Sequence, residues 1–143
     1  MIIRPLTEKD LVFIAGEKKN FPDGWNYGML LSSFNSGRFF GLIAEENGEP
    51  IAFITYSVVF FDADIESVYV RKEYRKKGVA AALMSAATDE LNNKGVKKIM
   101  LEVRESNAPA IGLYLKFGFE RISTRKKYYG DENAAVFCKE ILI

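Results

Sequence analysis

An α/β (α+β) fold, with a central mixed, mostly antiparallel sheet of about seven strands and four helices, is what this chain predicts, on three observations. Short apolar runs separated by glycine-bearing turns recur near both ends, as antiparallel hairpins require. One long connection, Val70 to Lys98, carries a helical pattern, so the strands it joins pair in parallel through a right-handed crossover. Finally, 143 residues, 48% of them hydrophobic, suffice for one sizeable core, and a single domain over residues 1–143 is expected.

Each element has its own warrant. Ile2 to Leu6 reads as a strand, and Thr7 with Asp10 gives a capping-box-like start to a helix through about Lys18. Phe21-Pro22-Asp23-Gly24-Trp25 interrupts the pattern, and Tyr27 to Phe34 resumes it, with Met29, Leu30, Leu31 and Phe34 at helical spacing. Phe39–Glu45 and Ile51–Phe60 read as a hairpin closed at Asn47-Gly48-Glu49, and Ile65–Val70 extends it to a meander. From Gly78, the positions Val79, Leu83, Ala87 and Leu91 recur every four residues until Gly95 caps that helix. Lys98–Val103 is a strand. Asn107 then caps a short helix, Ala108–Phe117, with Pro109 in its first turn and Gly118 as its stop. Phe119–Lys126 and Asn133–Ile141 form a last hairpin.

Composition narrows the function. A formal charge of +1 provides no global basic field, so direct nucleic-acid binding is not expected. No stretch approaches the roughly 20 apolar residues of a membrane span, and Met1-Ile2-Ile3-Arg4-Pro5 does not resemble a signal segment, so no membrane partner and a cytoplasmic location are expected. The chain has no histidine, which removes Ser-His-Asp and Cys-His nucleophilic pairs and His-ligated zinc; no metal is expected. Cys138 lies in an apolar strand with no base to activate it and is assigned no role.

The stretch Ser67-Val68-Tyr69-Val70, through Tyr74 into Arg75-Lys76-Lys77-Gly78-Val79-Ala80, runs strand, basic loop, glycine, helix. A helix N-terminus offers unpaired amides and a positive dipole end, so this is either an anion site or an ordinary solvated basic turn. The order of elements, this loop, and Asn107 followed by Tyr114, Gly118 and Phe119 resemble the GNAT superfamily of N-acetyltransferases across essentially the whole chain. The runs Leu101 to Asn107, Ala110 to Tyr114 and Arg125 to Tyr129 are most similar to its RimI-type ribosomal-protein-alanine N-acetyltransferases. The chain departs from that type at Phe21–Trp25, where Asp23-Gly24 separates Pro22 from Trp25 on the acceptor side.

The resemblance implies acetyl-CoA as co-substrate, bound between two splayed parallel strands. Arg75, Lys76, Lys77, Gly78, Val79 and Ala80 would then hold the pyrophosphate, the backbones of Val68, Tyr69 and Val70 would pair with the pantetheine arm, and Asn107 would add a contact. An N–H near Val70 would stabilise the oxyanion. At neutral pH an α-amine, with pKa about 7.7–8.0, is mostly protonated, so transfer to it needs a base. Glu102, at the end of a largely buried strand where its pKa would tend upward, is either that base or half of an ion pair with Arg104 or a nearby lysine. Tyr114 is either a core aromatic or the acid that protonates the departing thiolate. The resemblance implies the catalytic role for both. It also points to a peptide N-terminus, such as alanine on a ribosomal protein, as acceptor, with Trp25, Tyr128 and Tyr129 as candidate walls for its tail. A lysine, a polyamine or another small amine is the alternative acceptor, and a non-catalytic acyl-CoA-binding module is a further one.

Overall fold

The computed structural model describes residues 1–141. In chain order the elements are β1 (Ile2–Pro5), α1 (Asp10–Gly16), α2 (Tyr27–Asn35), β2 (Phe39–Glu46), β3 (Glu49–Val59), β4 (Asp62–Val70), α3 (Val79–Asn93), β5 (Lys98–Arg104), α4 (Ala108–Lys116), β6 (Glu120–Arg125) and β7 (Ala134–Glu140). The strands form one seven-stranded sheet, ordered β1-β2-β3-β4-β5-β7-β6. Neighbours run antiparallel except β4 and β5, which are parallel. The mixed sheet and four α-helices are those expected from the sequence. β7 lies between β5 and β6, so the last hairpin is folded inward, its second strand interior and its first, β6, at the edge of the sheet.

The two faces of the sheet carry separate cores. On one, Leu83, Met84, Ala87 and Leu91 of α3 and Tyr114 of α4 pack against Leu42, Ile54, Ile65, Ile99 and Leu101. On the other, Leu11 and Ile14 of α1 and Leu30 of α2 pack against Phe39, Ile43, Phe53 and Tyr69. Each leucine, isoleucine, methionine and phenylalanine among them contributes about 1.5–3 kcal/mol through the apolar surface it removes from water. The α1/α2 side also has a polar clamp. Glu17, buried just past α1, accepts from Arg71 Nε at 2.8 Å and from the Tyr69 hydroxyl at 3.1 Å, tying that helix to the end of β4.

Several boundaries differ from those read along the chain. α1 ends at Gly16 and tightens into a 3-10 turn over Glu17–Lys19. Its start is a reach-back: Asp10 accepts from the Thr7 N–H at 2.7 Å and from the Thr7 hydroxyl at 3.1 Å. β4 begins at Asp62 rather than Ile65, because Asp62 and Asp64, poor strand formers by propensity, are recruited by parallel pairing with β5. The β3–β4 turn places Phe60 at φ 55°, a left-handed conformation that no glycine or asparagine announces. By contrast, the β2–β3 turn uses Asn47 at φ 53° and Gly48 at φ 81°, as an Asn-Gly hairpin should.

Candidate active site

β4 and β5 pair only from Asp62↔Lys98 to Ile65↔Leu101, after which β4 stays with β3 and β5 with β7. The sheet therefore forks. A β-bulge contributes: Tyr56 pairs with Ile65 but Thr55 with Ser67, leaving Glu66 as the extra residue on β4. The alternation slips there, so that Ile65 and Val68 face α3 while Tyr69 faces α1 and α2. Beyond the bulge, Arg71 donates its N–H to Ile51 O. By the two-residue period, Tyr69 also faces β3, and the backbone groups of Val68 and Val70 point into the fork. The backbone of Tyr69 pairs with Phe53 of β3, and its buried ring places its hydroxyl on Glu17.

From Val70 the chain passes through a 3-10 turn, Lys72–Tyr74, to Gly78 at φ 81°, the N-cap of α3. The amides of Lys76 to Ala81 donate to no acceptor among the described residues. A Cβ built on Gly78 would meet nothing within 4 Å, so the main chain there is open to a ligand. Val79, 6% exposed, anchors the helix to the sheet. The basic side chains are partly engaged elsewhere. Arg75 Nε donates to Val70 O at 2.8 Å and its guanidinium lies 5.7 Å from the Tyr69 ring centroid, while Lys77 Nζ lies 5.7 Å from that of Tyr74. The donors this loop presents are thus chiefly its own N–H groups and the dipole of α3, which suit a pyrophosphate.

Glu102 lies one residue past the fork on β5, with Arg125 Nε 3.4 Å from its Oε1. Arg104, the ion-pair partner weighed from sequence, is engaged otherwise. It holds Asp23 with two bonds of 2.7 and 2.9 Å, reaches Asp131 and Glu132, and covers the Tyr129 ring at 4.5 Å. This network draws the 21–25 loop, β5 and the β6–β7 turn together. Gly24 sits tightly against Phe21 in that loop, and Trp25 stacks on Phe39 with centroids 6.0 Å apart. Tyr128 and Tyr129 meet edge to face at 5.0 Å, with Tyr128 half exposed. Glu102 is near enough to both for its charge to help raise their pKa values, after burial as the first cause. Glu102, Tyr128 and Tyr129 thus lie close together, while Trp25 lines a cleft with Phe21, Leu30 and Phe53 under the same loop.

Tyr114 is on the opposite face, 7% exposed, against Phe119 and Phe137 with centroids at 6.0 and 6.3 Å. Burial pushes its phenol up to about 12. Asn107 caps α4, its Oδ1 accepting from the Ala110 N–H at 3.3 Å.

Two neighbours of the site escape a reading of residue spacing. Asp23 meets a partner 81 residues further along. Glu66 reads as one polar position of a strand, although the slip from Ala63 and Ile65 to Val68 and Val70 is visible in the sequence and marks the bulge.

A model of the acetyltransferase (GNAT) family matches residues 9–119. The [ribosomal protein bS18]-alanine N-acetyltransferase of Escherichia coli K12 is 35% identical over 108 residues, 73% of each chain. The crystal structure of the E. coli ribosomal-protein-S18-alanine N-acetyltransferase superposes with a TM-score of 0.91 at 30% identity, covering 99% of this chain and 94% of that one. An N-alpha-acetyltransferase of Saccharolobus solfataricus is 43% identical over 68 residues, 47% of this chain and 41% of its own.

Proposed function

The chain belongs to the acetyltransferase (GNAT) family, and from that premise we propose that it acetylates a protein's N-terminal α-amine, of the ribosomal-protein-alanine type, using acetyl-CoA. The observation that carries this is the fork, which leads from the free amides of Lys76–Ala81, along the open edge of Val68 and Val70, to Glu102, the first residue of β5 past the last β4 pair. The relatives named as alanine and N-alpha acetyltransferases support the α-amine.

When bound, acetyl-CoA supplies an acyl thioester that an amine can attack. The loop amides and α3 dipole hold its pyrophosphate, Lys76 and Lys77 add outer charge, and Val68 and Val70 receive the pantetheine as an added strand edge. Arg75 braces the loop against Val70 and Tyr69, and the side-chain NH2 of Asn107, the N-cap of α4, adds a contact. Glu102 takes the amine's proton, directly or through water. Tyr114 stays protonated at physiological pH. Full transfer from a phenol near 12 to a thiolate near 8.5 would be uphill by about 5 kcal/mol, so its proton moves only as the C–S bond breaks and charge builds on sulfur.

Deprotonating an α-amine at pH 7 costs roughly 1 kcal/mol against about 4.6 for lysine, which a single carboxylate base meets more readily. Trp25, Tyr128 and Tyr129 wall the tail of the peptide. We assign the whole chain to one cytoplasmic enzyme domain; no helix among the described residues is long and apolar enough to cross a membrane. The test is competition between an alanine-starting peptide, its N-terminally blocked lysine-containing counterpart and spermidine, read by mass spectrometry and by release of CoA thiol. The α-amine is expected to react fastest. Preference for the blocked peptide's lysine or for spermidine overturns the acceptor assignment, and absence of turnover with every amine favours a binding module.

A further inference from the structure

The two 3-10 turns, Glu17–Lys19 after α1 and Lys72–Tyr74 after β4, border a second cleft of about 400 Å³. That is within the range of small-molecule sites, roughly 300–1,000 Å³. The cleft lies on the α1/α2 side of the sheet, where Tyr69 is buried, and shares only Arg75 with the loop before α3. The free amides of Lys76–Ala81 open elsewhere, at the head of the helix that covers the other face.

Its lining is strongly charged. Lys19, Arg71, Lys72 and Arg75 bring four cations against two carboxylates, Glu17 and Glu73. Glu17 is 5% exposed and already satisfied, since Arg71, Tyr69 and Asn20 all donate to it. Arg71 reaches Glu17, whereas Lys19, Lys72 and Arg75 make no salt bridge among the described residues.

The two arginines are also held in place. Arg71 commits Nε to Glu17 and Arg75 commits Nε to Val70 O, each at 2.8 Å. Each guanidinium lies against an aromatic ring, Phe13 at 5.1 Å for Arg71 and Tyr69 at 5.7 Å for Arg75. Tyr69 joins the pair into one cluster, with its hydroxyl on Glu17 and its ring beside Arg75. A guanidinium fixed through Nε keeps its terminal N–H groups for a ligand and loses little further rotamer freedom on binding. Two such forks and a surplus of two positive charges match an oxyanion with three acceptor oxygens and a charge near −2. A phosphate monoester supplies that, and a single carboxylate does not. Asn20 and Glu73 in the same lining offer acceptors to the hydroxyls of an attached sugar.

We propose that this cleft is a second anion site, which binds a small phosphate monoester, the group shared by mononucleotides and sugar phosphates, between Arg71 and Arg75 with Lys19 and Lys72 at the rim. It goes beyond the acetyl-transfer reading and does not depend on it.

The test is calorimetric titration of AMP and of ribose 5-phosphate into the whole protein at low ionic strength, with and without saturating CoA, beside adenosine and succinate as controls. The expected result is binding of one or both phosphates, changed less than threefold by CoA, and none of adenosine or succinate. Affinity should fall at least tenfold in Arg71→Gln and about threefold or more in a Lys19→Ala/Lys72→Ala double variant. Arg71→Gln also removes the Glu17 clamp, so the double variant, which changes two exposed side chains without salt bridges, decides the matter if the other is destabilised. Loss of phosphate binding on saturation with CoA overturns the proposal, because the phosphate then occupies the loop at α3. Unchanged affinity in the double variant, equal binding of succinate, or no binding of either phosphate overturns it too. Acetyl transfer by the double variant should stay within twofold of wild type, so this site and the acetyltransferase reading fail in different measurements.

Discussion

Glu102 is paired with Arg125 at 3.4 Å, and that arginine is 58% exposed, so water screens the contact. Glu102→Gln should lower kcat by about 10²-fold or more at pH 7 with little change in acetyl-CoA affinity. The loss should shrink as pH rises past the acceptor's pKa, because the amine then arrives deprotonated; a pH profile of kcat/KM checks this, and wild-type turnover at pH 7 would transfer the role to another group. Tyr114→Phe should slow turnover without any such rescue. The alternation along β5 made the face of Glu102 readable before any coordinates, since Ile99, Leu101 and Val103 had to share the other. Asp23 and Glu66 were not readable in the same way. The meaning of Asp23 depends on Arg104, brought to it by the fold, and that of Glu66 on a bulge that reverses which side its neighbours face.

At the scale of elements, the loop into α3 works through main chain. Gly78 has φ 81° and open space around it, so Gly78→Glu combines backbone strain with a negative charge where a pyrophosphate is expected. Acetyl-CoA affinity should fall at least a hundredfold while the fold survives; calorimetry on the folded variant is the measurement, and unchanged affinity would remove the loop from the site. Lys77→Ala should be milder, since a solvated charge adds little beside backbone donors. Leu83, fully buried on the inner face of α3, tests the packing alone: Leu83→Ala should cost about 2–5 kcal/mol of stability by chemical denaturation. Helix periodicity, the asparagine cap of α4 and the Asn-Gly turn were legible because local residues cause them. The early start of β4 and the placement of β7 inside β6 were not, because both follow from which strand finds which partner.

For the whole molecule, acid is the revealing perturbation. Burial resists ionisation of Asp10 and Glu17, yet hydrogen bonds from Arg4 and Thr7 to the first, and from Arg71, Asn20 and Tyr69 to the second, hold both carboxyls below their ordinary values. Carboxyls lowered in this sense add stability that is complete above the unfolded values, near pH 4, and is lost as pH falls through the lower folded values. Stability should therefore be nearly level from pH 7 to about 5 and decline below about 4. Glu17→Gln should cost about 1–3 kcal/mol at pH 7 and flatten the acid limb, as thermal melts across pH would report.

The fork has a mechanical consequence too. The strands β1–β4 and β5–β7 are laced edge to edge by four register pairs alone, Asp62↔Lys98 to Ile65↔Leu101, so the sheet is two slabs hinged at a short seam. Any ligand laid along the open edge acts as a spline between them. At a hundredfold excess over its Kd, acetyl-CoA would add about 2.7 kcal/mol, or roughly 8 °C in melting temperature for a chain of this size. The stiffening should be local as well as global. The Val68 and Val70 amides, which face the gap, should exchange their hydrogens freely in the empty protein and slow sharply once the spline is in place, while Tyr69 between them, already committed to β3, should hardly respond.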